Sequence, residues 1–316
     1  MTPRGEPTQN QAVRRIGGFI IGLLLIGVAV FVLARNKNDL NDALDAAQHA
    51  SWWIIALVIV LPVANAAIVA VSFWILMRRL GNVPFGDMLA LIGSAWMLNY
   101  LPMRPGLIGR LAFHKLVHGV SLKSSVAVSV ALALMSGLAA AHMLIVGVAF
   151  AEGALVGAAA LAATSVVVYF VAGLAADKSP AGAVPRHDLR AALLFRYIDM
   201  LVWAVRMWAC FAIVGSELTP WAALLIAAAV QIAYLFPLTG AGLGVVEWAV
   251  GVVAAIVVVD ATAEIGIAAS LANRAAELLV VVPCGLAGSA YIAKRRSRSA
   301  RARDSENSPN TDARET

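Results

Sequence analysis

The chain has 316 residues, of which 61% are hydrophobic and 13% charged, with a formal net charge of +6 and a mean hydropathy of +0.84. Soluble globular proteins carry about 25% charged residues, so this composition excludes a soluble enzyme and a disordered chain and points to an all-α, polytopic integral membrane protein. The positive charge is local: Lys294, Arg295, Arg296, Arg298, Arg301 and Arg303 follow one another without an intervening acid, which argues against a nucleic-acid partner.

A membrane-spanning helix needs about 20 mostly apolar residues. In chain order, such runs lie at 16–34, 52–77, 126–150, 154–176, 191–214 and 268–292, six expected full spans. The first follows Arg14 and Arg15 and is longer than the 7–15 residues of a leader's apolar core, so a retained anchor is expected. This divides the chain into a tail at 1–14, a membrane domain at 15–293, and a second tail at 294–316, basic and then disordered.

Two further apolar stretches break in the middle at glycine and proline. One runs 88–101, breaks at 102–106 and returns over 107–119; the other runs 221–236, breaks at 237–244 and returns over 245–259. Arms of this length reach roughly 21–24 Å, short of a hydrocarbon core of about 30 Å. The first return arm also carries Arg110, His114, Lys115 and His118, too polar to cross in contact with lipid. Both stretches are therefore expected to be re-entrant hairpins whose breaks are sheltered by protein or a water-filled cavity.

The loops sort by charge. Arg14/Arg15, Arg78/Arg79, the 104–123 neighbourhood, Lys178/Arg186/Arg190 and the basic tail alternate with loops that hold Arg35 and Lys37 but otherwise acids, Asp39, Asp42, Asp45, Glu152, Glu217, Asp260 and Glu264. By the positive-inside rule both termini are expected in the cytoplasm of a multi-pass cell-membrane protein. Span 52–77, the first hairpin and the next span then form one unit, and span 191–214, the second hairpin and the last span form its inverted copy, a layout that points to a transporter with its site between the repeats.

Charge inside the membrane is costly, so the few charged residues there are the functional candidates. Arg196, Asp199 and Arg206 fall on one stripe of their helix, as do Arg274 and Glu277. Glu247 directly follows the glycine turn Gly240, Gly242, Gly244, while Arg104 and Arg110 lie in and beyond the first break. Arginine forks suit phosphate, and the turn's free N–H groups add positive potential. The expectation is an anionic lipid head group held between the two re-entrant hairpins. Other roles fit the same residues: positive-inside anchors for Arg104 and Arg110, snorkelling for Arg196, a structural ion pair for Asp199 and Arg206. His114 and His118 are four apart but lack the glutamate of the zinc-protease helix, and Cys210 and Cys284 have no zinc or disulfide spacing. No metal, cofactor or catalytic constellation is expected.

Two motifs carry a family resemblance. Asn99-Tyr100-Leu101-Pro102-Met103-Arg104-Pro105-Gly106-Leu107-Ile108-Gly109-Arg110 and Phe236-Pro237-Leu238-Thr239-Gly240-Ala241-Gly242-Leu243-Gly244-Val245-Val246-Glu247, with Arg274 in Leu271-Ala272-Asn273-Arg274, resemble elements of the lysylphosphatidylglycerol synthase transmembrane-region family, whose members are called flippase-like. The resemblance implies movement of a phospholipid or polyprenyl-linked lipid between leaflets, with Arg104, Arg110, Glu247 and Arg274 at the matching positions. The chain departs from the family pattern at Ile108-Gly109, where a glutamate is expected, and in the uncharged stretch 130–140. Synthases of the family add a large cytoplasmic aminoacyl-transfer domain that this chain has no length for, so synthesis of lysyl-lipid is not expected. The alternative function is a non-catalytic membrane partner of a separate lipid-modifying enzyme or glycosyltransferase; a membrane transferase is a third.

Overall fold

The computed structural model describes residues 24, 27, 28, 31, 45–101, 105–177, 184–235 and 239–307. Within them the protein is all-helical. In order come α1 (Trp52–Met77), α2 (Phe85–Leu98), α3 (Pro105–Val117), α4 (Leu122–Glu152), α5 (Ala154–Asp177), α6 (Arg186–Ile213), α7 (Pro220–Leu235), a 3-10 turn (Gly240–Gly242), α8 (Val245–Val257) and α9 (Ala263–Asn307). Proline opens α3 and α7, where its missing N–H costs nothing and its fixed φ suits a first turn. Ser121 caps α4, its hydroxyl accepting from Ser124 N at 3.1 Å.

Five segments are long and apolar enough to cross a membrane: Trp52–Met77, Leu122–Glu152, Ala154–Val171, Gly240–Val257 and Ala263–Ser297. Four coincide with expected spans. The expected span at 191–214 forms as α6, 28 residues long, but its own charged stripe keeps it off that list. The expected span at 16–34 has only residues 24, 27, 28 and 31 among those described. The segment through α8, read from sequence as a return arm, qualifies by length and composition. Both arms of the first hairpin are short, α2 with 14 residues and α3 with 13.

The last helix runs past its expected apolar span. Instead of ending at 292 before a separate tail, α9 continues without a break to Asn307. Apolar scanning marks only the part of a helix that meets lipid, whereas the Ala, Lys and Arg of 293–303 are good helix formers and extend it. Of the tail expected to be disordered, 304–307 is helical and 308–316 lies outside the described residues.

Packing follows a regular scheme. Helix α1 lies against α6, α2 against α9, and α7 against α4. Each pair is antiparallel. Trp53 meets Trp208 and Arg78 meets Asp188 at opposite ends of α1 and α6; Gly93 lies on Cys284 and Gly288 on Ala90 between α2 and α9; Gly137 lies on Leu235 and Gly147 on Leu225 between α4 and α7. Small residues at these seams let backbones approach closely, as helices in lipid require. Exchanging α1 with α6, α2 with α7, α3 with α8 and α4 with α9 turns every principal packing pair into another observed pair, with only α5, which bridges α4 and α6, left over. Each hairpin's entering arm therefore packs on the final helix of the other unit.

Candidate functional site

The polar stripe expected on α6 forms, and it faces inward: Arg196, Asp199 and Arg206 are all buried. Its anchor is Asn65, the one amide in an α1 otherwise apolar but for Ser72, placed near that helix's midpoint. Asn65 Nδ2 donates to Asp199 Oδ1 at 2.7 Å, and its Oδ1 accepts from Arg206 Nη1 at 2.8 Å. Arg196 Nη1 lies 3.6 Å from Asp199 Oδ2 and donates to Ser136 Oγ, while its Nη2 donates to Ser72 Oγ. Arg206, fully buried with its guanidinium over the Trp203 ring, donates through Nη2 to Asn273 Oδ1 at 2.7 Å and Glu277 Oε2 at 3.1 Å.

The second hairpin's break enters the same network. Gly242 and Gly244 adopt φ of +67° and +79°, conformations that glycine reaches without the penalty a side chain would meet. Gly240 sits so close to the Tyr100 carbonyl that a Cβ there would lie 3.0 Å from it. The break of one hairpin thus touches the end of the other hairpin's first arm. Glu247, third residue of α8, accepts from Gly244 N at 2.7 Å, the acidic half of a capping box that satisfies an orphan helix donor. Its other oxygen holds Arg274, at 2.9 Å from Nε and 2.8 Å from Nη2. Arg274 Nη1 also donates to the Ala241 carbonyl and to Tyr100 Oη, whose own hydrogen goes to Glu277 Oε1 at 2.9 Å.

One chain of contacts therefore runs from Arg196 through Asp199, Asn65, Arg206, Glu277, Tyr100 and Arg274 to Glu247 and Gly244. It joins three arginines to three carboxylates, so when all are ionised the charges cancel. That balance is what makes six buried charges tolerable, since an unpaired one costs several kcal/mol. Beside it lies a cavity of about 120 Å³ bordered by Trp96, Asn99, Tyr100, Tyr234, Ala241 and Glu277. Asn99 Oδ1 is buried there with no hydrogen-bond partner among the described residues.

The expected site residues do not all meet. Glu247, Arg274, Glu277, Arg206, Asp199, Arg196 and the glycine turn belong to this network. Arg110 does not: its guanidinium stacks 3.8 Å from the Phe73 ring centroid and donates to Ser129 Oγ at 3.0 Å. The reason is positional, because Arg110 points from the return arm toward α1 and α4 rather than across the junction of the breaks. Arg104 lies outside the described residues. The sequence reading passed over Asn65, Tyr100 and Asn273. Asn65 had a signal, a lone amide in an apolar span, and the other two stood inside quoted motifs.

Two polar clusters close one end of the bundle. Asp188 is held by Arg79 Nε at 2.6 Å and Arg78 Nη2 at 3.2 Å; burial alone would raise its carboxyl, but these hydrogen bonds outweigh it and keep it below the usual carboxylate range. At the base of the first hairpin, Asp87 accepts from His118 Nε2 at 2.9 Å, Tyr291 Oη at 3.0 Å and Arg295 Nε at 3.3 Å. Burial again pushes this carboxyl up, and the three partners together bring it down. Neither models of known protein families nor curated proteins give a match to the chain.

Proposed function

We propose that this chain is a flippase-like membrane transporter that receives the anionic head group of a phospholipid or polyprenyl-phosphate-linked lipid where its two broken hairpins meet, and moves it between leaflets. The observation that carries the reading is the contact of Gly240 with the Tyr100 carbonyl, with the arginine–carboxylate network passing through that contact. An exchange that places antiparallel helices on one another corresponds to a rotation about an axis across them, so the packing scheme supports inverted repeats. Paired broken helices between inverted repeats are the usual architecture of a midplane binding site. The cell membrane is the intended location, with both termini on the cytoplasmic side, the side where Arg78, Arg79 and Arg295 gather.

In this mechanism a phosphate competes with Glu247 and Glu277 for Arg274 and Arg206. The displaced carboxylates keep partners: Glu247 retains the Gly244 N–H and Glu277 the Tyr100 O–H. Because the network is neutral beforehand, the entering anion leaves it negative unless a carboxylate takes up a proton, so lipid entry is coupled to protonation. Rearranged pairs at the junction then bias the two units between inward and outward forms. Apart from that proton transfer no step makes or breaks a covalent bond, and the reading is of a non-enzyme without a cofactor.

The same charge balance favours a second reading, a non-catalytic membrane partner of a separate lipid-modifying enzyme or glycosyltransferase, in which the network is structural. Translocation of a fluorescent anionic lipid in reconstituted vesicles separates the two. The transporter reading expects activity in the wild type and its loss in Glu247→Gln and Arg274→Ala at unchanged folded yield. Equal translocation by both variants, or none by the wild type, would overturn it.

A further inference from the structure

Helices α3 and α9 both pack on α2 but make little contact with each other, so a groove of about 340 Å³ runs between them with α2 as its floor. On the floor Leu91 and Ala95 are buried. The wall on α3 is Gly109, Ala112 and Leu116, all exposed, and at spacings of three and four they share one face of that helix. Ile292 and Ala293 form the facing wall on α9. The lining is largely apolar: Arg110 borders the groove but turns its guanidinium to Phe73 and Ser129, and Ser94 Oγ is spent on the Ala90 carbonyl at 2.7 Å.

The dimensions and the charge at one end select an occupant. Along α3 the groove covers 106–117, about 16 Å of helix, which is the depth of one leaflet in a hydrocarbon core about 30 Å thick. A second helix of that length and about 10 Å across would fill roughly 1,200 Å³, several times the space between the walls, whereas a single methylene chain is narrow enough to enter. The groove's inner end lies by the first break, at Leu98 and Gly106, and its outer end at the hairpin's base, where Arg296 stands on the rim. Arg296 is exposed and, unlike Arg295 beside it, which bonds Asp87, has no carboxylate partner among the described residues. It belongs to the run 294–303, which holds six cations and no acid. A cavity of about 370 Å³ on the other flank of the α2/α9 seam has no cation in its lining, and its Tyr291 hydroxyl is committed to Asp87.

We propose that the groove between α3 and α9 seats one acyl chain of an anionic phospholipid from the leaflet at the basic end, with the lipid's phosphate on Arg296. Lipid tails are as apolar as the groove walls, so the fit of the tail sets where the molecule sits and the charge of its head group sets which lipid is taken. The guanidinium fork matches a phosphate. This site is separate from the junction network and does not depend on translocation.

Photocrosslinking of the purified full chain in phosphatidylcholine nanodiscs tests it, with a trace of phosphatidylglycerol or phosphatidylcholine carrying a diazirine in the acyl chain and adducts mapped by peptide mass spectrometry. Phosphatidylglycerol adducts should concentrate at 91–98, 106–117 and 289–296, in higher yield than those of phosphatidylcholine. Gly109→Leu and Ala293→Leu fill the groove from opposite walls and should each remove these adducts; Gly109→Ala, whose Cβ meets nothing within 4 Å, should keep them. Arg296→Gln should lower the phosphatidylglycerol yield by about two- to fivefold, the worth of an exposed charge pair, and Arg296→Lys should retain most of it. Adducts on α5, whose Leu155 and Phe170 are exposed, report in the same samples that each variant is inserted. Groove adducts no denser than those on α5, adducts that survive both fillings, or equal yields from the two lipids in the wild type overturn the proposal. So does a groove protected by a second copy of the chain, read as a doubled mass in light scattering. Because adducts are read without transport, their absence leaves the transporter reading standing, and a wild type that binds here but does not translocate overturns that reading alone.

Discussion

Arg206 is the most demanding residue in the bundle, and its removal tests whether the network is held together by charge balance. In Arg206→Met, Glu277 keeps only the Tyr100 hydroxyl, while Asn65 Oδ1 and Asn273 Oδ1 lose their donor. Breaking one side of a buried ion pair costs about 3–5 kcal/mol, and each orphaned amide oxygen adds about 1 kcal/mol at the low end. Some of this is relieved by relaxation, so a net loss of ~4–6 kcal/mol is expected. At ~2 °C per kcal/mol, the low end for a chain this long, the melting temperature falls by ~8–12 °C. Adding Glu277→Gln removes the stranded charge yet keeps a group for Tyr100, so the double variant should recover at least half of the loss. The assay is thermal unfolding in detergent followed by size-exclusion monodispersity. A single-variant drop under ~2 °C, or a double variant less stable than the single, would refute the charge-balance argument.

Three other changes probe neighbouring features. In Gly288→Val a Cβ meets the Ala90 carbonyl and Ser94 Oγ across the α2/α9 seam; overpacking there should lower stability by ~1–3 kcal/mol or more, read as reduced folded yield, whereas Gly109→Ala, with nothing within 4 Å, should be tolerated. Asp188 has a folded-state pKa below its unfolded value, so its contribution is present above about pH 4 and is lost as pH falls through the lowered folded value. Asp188→Asn should therefore lower stability at pH 7 and show a smaller further loss on acidification, measured as melting temperature between pH 3 and 7. Asn65→Leu takes one hydrogen bond from each of Asp199 and Arg206 and should destabilise more than Asn99→Leu, whose Oδ1 has no partner to lose among the described residues.

Much of the site was legible because helical spacing is rigid. Arg196, Asp199 and Arg206 share a face by arithmetic, and so do Arg274 and Glu277. What spacing does not encode is which faces oppose each other. Arg110 of the first hairpin and Arg274 of the last span looked equivalent as head-group arginines, yet one faces Phe73 and Ser129 and the other Glu247, because α3 and α9 present them to different helices. His114 and His118 were weighed as metal ligands and as polarity against a lipid-facing span, but their link to Asp87 and, through it, to Arg295 stayed out of sight because it depends on partners up to 208 positions apart. The helix boundaries at α6 and α9 shifted for a simpler reason: apolar runs mark lipid contact, and helices continue past it.

The swapped packing of the hairpins has a consequence in time. Asp87 and Tyr291, which close the first hairpin onto α9, are 204 positions apart, and at about 5–20 residues per second a ribosome needs roughly 10–40 s to cover that distance. The second hairpin has no such delay, because α4 is already synthesised when α7 emerges. During synthesis the first hairpin therefore waits in or near the membrane with Asp87 and its α9-facing glycine surface uncovered. Chains that stop before α9 keep it in that state, which makes the final helix the step that commits the whole bundle.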